Sequence, residues 1–168
     1  EDTKSKLEIY ARTFDKPVVK PFVLVVARDT DHSKEIMKYI KSNDFFNGYY
    51  ADKVMEINSA QRGAEKDENI EQLLSLENPE NKIEIVIHVN MLKEGWDVTN
   101  LYTIVPLRAS ASETLTEQTI GRGLRLPYGE RTGVDEVDRL SIVSHDKYEA
   151  IINLANDPES LVRKVYYI

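Results

Sequence analysis

Six consecutive apolar residues, Phe22-Val23-Leu24-Val25-Val26-Ala27, leave this chain little choice of fold. The run is half β-branched and shows no alternation of apolar with polar residues. A strand of that kind is buried on both faces, which is the signature of a parallel sheet covered by helices. The polar exit Arg28-Asp29-Thr30-Asp31 offers helix N-caps, and Ile36, Met37 and Ile40 follow at helical spacing. The first unit therefore reads strand, loop, helix.

The same grammar recurs downstream. Lys53 to Ile57 reads as a short strand ending at Asn58-Ser59, and Glu65 to Leu76 as a helix broken by Asn78-Pro79-Glu80-Asn81. Ile83 to Val89 and Leu101 to Val105 are further strands. Ser112 to Leu126 reads as a helix capped by Ser110 or Ser112 and stopped by Pro127, followed by a Gly-containing loop to Asp135. Leu140 to Ser144 is a strand, Asp146 to Ala155 a helix, and Leu161 to Ile168 a strand-like tail. Ahead of all this, residues 3–13 form a plausible short helix joined by a linker from Pro17 to Pro21. Strands alternating with helices imply right-handed βαβ units, hence an α/β fold with an open, mainly parallel sheet and helices on both faces. The expected organisation is a helix and linker from a preceding lobe over 1–20, one α/β lobe over 21–156 and a strand-like tail over 157–168.

Composition narrows the function. The 168 residues include 30% charged and 41% apolar types, as in a folded globular protein. No apolar run approaches the roughly 20 residues of a membrane span, so no membrane partner is expected. The opening Glu1-Asp2-Thr3-Lys4 is not a secretory leader, and with no initiator Met it reads as an excised fragment. Absence of cysteine excludes disulfides and thiolate metal sites and fits a cytoplasmic origin. His32, His88 and His145 are scattered singly, so no metal site is expected. A net charge of −7 argues against a basic coat for nucleic acid, though not against a local basic groove.

In open α/β sheets ligands sit outside the carboxyl ends of the strands. The loops after Ala27, Ile57, Val89 and Val105 are therefore the ones that matter. One carries Asn90-Met91-Leu92-Lys93-Glu94-Gly95-Trp96-Asp97-Val98, in which Gly95 permits close backbone approach and Asp97 can accept from a ribose hydroxyl or pair with an arginine. The last leads into Glu117-Gln118-Thr119-Ile120-Gly121-Arg122-Gly123-Leu124-Arg125-Leu126. Arg122 and Arg125 are three apart, which on a helix sets both guanidiniums on one face. Planar, permanently charged forks aimed one way suit phosphate, although a helix end with solvated arginines has the same spacing.

In this order the pieces resemble the second RecA-like lobe of a superfamily 2 helicase or translocase, with its motifs IV, V and VI. The spelling Met91 to Val98, with Val137-Asp138-Arg139-Leu140 and Val143 to Lys147, is similar to the Res subunit of type III restriction enzymes. The resemblance covers roughly residues 20–155. It implies ATP held between two lobes, with Mg²⁺ and the phosphates bound mainly by a first lobe that is not part of this sequence. Arg125 then matches the arginine finger and Arg122 its companion. Gln118, Gly121, Gly95 and Asp97 match the nucleotide-facing positions, and Arg28, Ser59 and Asn90 are placed to touch DNA phosphates, which position without reading sequence. Implied partners are the first lobe, DNA and a methyltransferase (modification) subunit.

The family pattern has a threonine about eight residues before the Asp of motif V; here that position is Val89, with Asn90 next to it. The chain has no Gly-x-x-x-x-Gly-Lys-Ser/Thr, no Asp-Glu-x-His and, after residue 155, no nuclease carboxylate–lysine cluster. It is therefore expected not to hydrolyse ATP alone. The other readings are a non-catalytic RecA-like interaction module, a superfamily 2 helicase unconnected with restriction, and a self-contained α/β phosphate enzyme, the last opposed by the missing phosphate loop.

Overall fold

The computed structural model describes residues 2–58, 63–89, 98–107, 126–144 and 162–167. Helix α1 (Asp2–Phe14) precedes strand β1 (Phe22–Val26), helix α2 (Thr30–Lys41), strand β2 (Val54–Asn58), helix α3 (Gly63–Leu74), strand β3 (Ile85–Val89) and strand β4 (Leu101–Pro106). A one-turn helix α4 (Asp135–Asp138), strand β5 (Leu140–Ser144) and strand β6 (Val162–Tyr167) complete the described elements. The six strands form one sheet in the order β2-β3-β1-β4-β5-β6. Every pairing in it is parallel, so "mainly parallel" sharpens to wholly parallel among the described residues.

The apolar runs form strands because both of their faces find helices. Leu24, Val26, Met55, Ile57, Val86, Ile104, Leu140 and Ile142 face one way and pack with Leu73 of α3 and Leu76 just beyond it. Val25, Val54, Ile85, Ile87 and Val89 face the other way and pack with Ile40 of α2, flanked by Ile36 and Met37. Strand β3, between β2 and β1, is buried along its whole length. Each such side chain contributes about 1.5–3 kcal/mol by leaving water. A third cluster joins α1 to the sheet, with Leu7 against Tyr102 and Val137. Tyr102 Oη donates to the Val137 carbonyl at 2.8 Å, so this tyrosine is a packing residue.

Several boundaries differ from expectation. Helix α3 begins and ends two residues early. At its end Ser75 Oγ (3.0 Å) and Asn81 Nδ2 (3.0 Å) both donate to the Gln72 carbonyl, so side chains take over where the next turn would have bonded. Leu74 is consequently 66% exposed, while Leu76, past the helix, is fully buried. Strand β3 starts at Ile85 rather than Ile83, because the Ile83 amide turns back to Asn81 Oδ1 at 2.8 Å. Leu126, expected to end a helix, is instead the start of a turn closed by Gly129 N–H on its carbonyl at 3.0 Å. The rest of that helix, 112–125, and the helix expected over 146–155 lie outside the described residues.

Two local elements were not named from the sequence, although Asn47-Gly48 is a turn signal. Helix α4 is a single turn whose Asp138 carboxylate accepts from Thr132 N–H (2.9 Å), Thr132 Oγ1 (2.8 Å) and Gly133 N–H (2.8 Å). Between α2 and β2, Phe46, Asn47 and Gly48 are all left-handed, with φ of 46°, 52° and 75°. Phe46 stays 63% exposed there, edge-on to Phe45 and Tyr50.

Candidate functional site

Parallel pairing brings the strand exits into one row. Asn58 of β2 is level with Val89 of β3, and Val26 of β1 is level with His88 of β3 and Pro106 of β4. At about 4.8 Å per strand, the four exits fall within about 15 Å along one edge. These are the exits that lead into Arg28, Ser59, Asn90 and the segment from residue 108 onward. The order along the edge is β2, β3, β1, β4, so β1 stands between the exits that lead towards Asp97 and towards Arg122.

Of the site residues named from the sequence, Arg28 is described. Ser59, Asn90, Gly95, Asp97, Gln118, Gly121, Arg122 and Arg125 lie outside the described residues, as do Trp96 and Gly123. Arg28 is exposed at the exit of β1, two residues past its last ladder position. Its setting is built by the helix that follows. Asp29 caps α2, its Oδ1 accepting the His32 amide at 2.8 Å. That amide is the main reason the Asp29 carboxyl is held below its ordinary range. Ordering the cap places the His32 ring over the preceding residue. The Arg28 amide donates to His32 Nδ1 at 3.3 Å, and Arg28 Nε donates to the same atom at 3.2 Å.

His32 is a hydrogen-bond partner of Arg28 that the sequence reading does not name. The available signal was its position four residues after Arg28 and three after a capping aspartate, the spacing at which a side chain in the first helical turn reaches back across the cap.

Val89, which stands where the resemblance would put a threonine, is a 3%-exposed core residue. Its isopropyl group faces the α2 layer and has no hydroxyl to offer a phosphate. Beside it His88 is 1% exposed, and burial pushes its imidazole down to about 4. Among the described residues no group of three or more His, Asp or Glu could hold a metal ion. A groove of about 660 Å³ runs along the α2 face from His32 and Leu107 to Thr3 and Lys4, lined largely by Val, Ile, Phe and Tyr. Arg28 is not among its described lining residues.

An open, wholly parallel α/β sheet with helices on both faces and its loops gathered at the strand exits is the arrangement of a RecA-like fold. No protein-family model matches the chain. It is similar to the Res subunit of the type III restriction-modification enzyme EcoPI of Escherichia phage P1, 35% identical over 115 residues, with 58% of this chain and 11% of the relative covered. The Res subunit of EcoP15I of Escherichia coli gives the same identity and coverage. The Res subunit of StyLTI of Salmonella typhimurium is 54% identical over 39 residues, 23% of this chain and 4% of the relative. The chain thus spans about a tenth of the length of the curated relatives it matches. No helix among the described residues is long and apolar enough to cross a membrane.

Proposed function

We propose that this chain is the second motor lobe of an ATP-dependent DNA helicase or translocase of a type III restriction enzyme. The similarity to two Res subunits over 115 residues carries the reading. It is supported by the row of four strand exits, from which chain connectivity leads into each of the segments that resemble motifs IV to VI. On this reading Arg125 is the arginine finger and Arg122 its companion. They stabilise charge that develops on a phosphoryl group held by the first lobe. Gln118, Gly121, Gly95 and Asp97 complete the near wall of that cleft. Arg28, Ser59 and Asn90 touch the DNA backbone. With Val89 apolar and buried, motif V has Asn90 and main-chain amides to offer the phosphate in place of a threonine hydroxyl.

The chain has no phosphate loop, and its described residues include no metal-holding carboxylate group. Binding of ATP and Mg²⁺ is accordingly assigned to the first lobe, and no chemical step is assigned to this chain alone. On the same reading its partners are the first lobe, DNA and a modification (methyltransferase) subunit.

The test is kinetic. In a complete protein containing both lobes, Arg125→Ala should lower ATP turnover by about 10³-fold or more while ATP binding stays within a few-fold of normal. Turnover that survives the substitution removes the finger assignment. The purified 168-residue chain should show no ATPase activity above background; measurable turnover would contradict its role as half of a site.

A further inference from the structure

Arg28 and His32 share an arrangement that the proposed function does not use. His32 Nδ1 accepts two hydrogen bonds from one residue, from the Arg28 amide at 3.3 Å and from Arg28 Nε at 3.2 Å. An imidazole nitrogen that accepts carries no proton, so the neutral ring has its hydrogen on Nε2. The ring is fixed in turn through its own amide on Asp29 Oδ1, at 2.8 Å. A guanidinium has five N–H donors in a rigid fork. Spending the Nε donor on His32 leaves the four Nη donors available, on a plane whose orientation the imidazole sets. An exposed arginine otherwise loses rotamer entropy each time it grips a phosphate, and a side chain already held loses less.

We propose that His32 is a positioning residue for Arg28, holding its guanidinium through an unprotonated Nδ1 so that the Nη groups are pre-set for a nucleic-acid phosphate. This rests on the reading of Arg28 as a backbone contact. His32 acts through Arg28 and touches no phosphate itself. Its substitution therefore matters only while Arg28 is present, and any side chain that puts an acceptor where Nδ1 sits should replace it. Asparagine does so with Oδ1.

The experiment measures DNA-stimulated ATP turnover of the complete two-lobed protein and reads the concentration of a duplex oligonucleotide giving half-maximal stimulation. Arg28→Ala should raise that concentration about tenfold. His32→Leu should raise it by about threefold to tenfold, and His32→Asn should stay within about twofold of the unsubstituted protein. The Arg28→Ala/His32→Leu double variant should match Arg28→Ala alone, because the coupling between the two residues is the whole effect. If Arg28→Ala has no effect, the phosphate-contact reading fails. If Arg28→Ala weakens stimulation but the His32 effect is absent, persists undiminished in the double variant, or is as large with asparagine as with leucine, the positioning role is overturned.

Discussion

At the scale of single residues, the buried imidazole of His88 makes stability depend on pH. It sits one residue before the end of β3, 1% exposed, and burial lowers it from 6.5 to about 4. Above pH 6.5 the ring is neutral in both the folded and the unfolded chain and contributes no pH dependence. As pH falls below 6.5 the unfolded chain takes up a proton that the folded chain refuses, so stability is lost until about pH 4, where the folded ring also protonates. At 1.36 kcal/mol per unit, the loss between pH 7 and pH 5 is roughly 2 kcal/mol. Urea unfolding of the chain at the two pH values should show it, and His88→Leu should flatten that part of the pH dependence whatever its absolute stability. A slope unchanged by the substitution would assign the acid sensitivity elsewhere. His88 also shows what a sequence does and does not reveal about one side chain. Its place in a strand was legible from Ile83 to Val89, but the depth of its burial was not, because that depends on β1 and β2 closing on either side.

At the scale of elements, the turn at Phe46–Gly48 is where sequence and backbone disagree most. Three successive left-handed residues join α2 to β2; Asn47 and Gly48 tolerate that conformation, whereas the Phe46 side chain disfavours it. Gly48, at φ 75°, has no Cβ, and one added there would meet Asn43 Oδ1 at 2.9 Å. Gly48→Ala should therefore cost about 1–2 kcal/mol in urea unfolding; a neutral result would mean that the turn rearranges freely. The strands, by contrast, were readable because their apolar runs are set by burial on two faces, a requirement carried by each residue separately. Helix ends were less readable, since α3 stops where Ser75 and Asn81 reach the Gln72 carbonyl, contacts that depend on how a loop folds back. Helix α4 was unreadable for the same reason: three donors converging on Asp138 hold a single turn that has no periodicity to detect. For the candidate site, motif order along the sequence gave the row of exits, while the His32 contact needed the cap geometry.

At the scale of the whole molecule, α1 is part of the lobe's packing. Leu7 is fully buried against Tyr102 and Val137. Lys4 reaches Glu84 at 3.2 Å, Lys6 reaches Glu136 at 3.8 Å, and Tyr128 Oη donates to the Pro17 carbonyl at 3.0 Å. Of these, the apolar contact dominates, since partly exposed ion pairs contribute little. Leu7→Ala should cost about 2–5 kcal/mol and, in hydrogen exchange, should loosen α1 and the turn of α4 ahead of the central strands. Protection lost uniformly across the sheet would instead make α1 integral to the core. The central strand has a different dependence on the rest of the chain. Its neighbours are β3 and β4, whose paired residues lie roughly 60 and 80 positions downstream. At about 5–20 residues per second of synthesis, β1 therefore leaves the ribosome and waits on the order of 10 s before either neighbour exists. During that interval an all-apolar strand is an unpaired edge, which makes the nascent chain a client for chaperones.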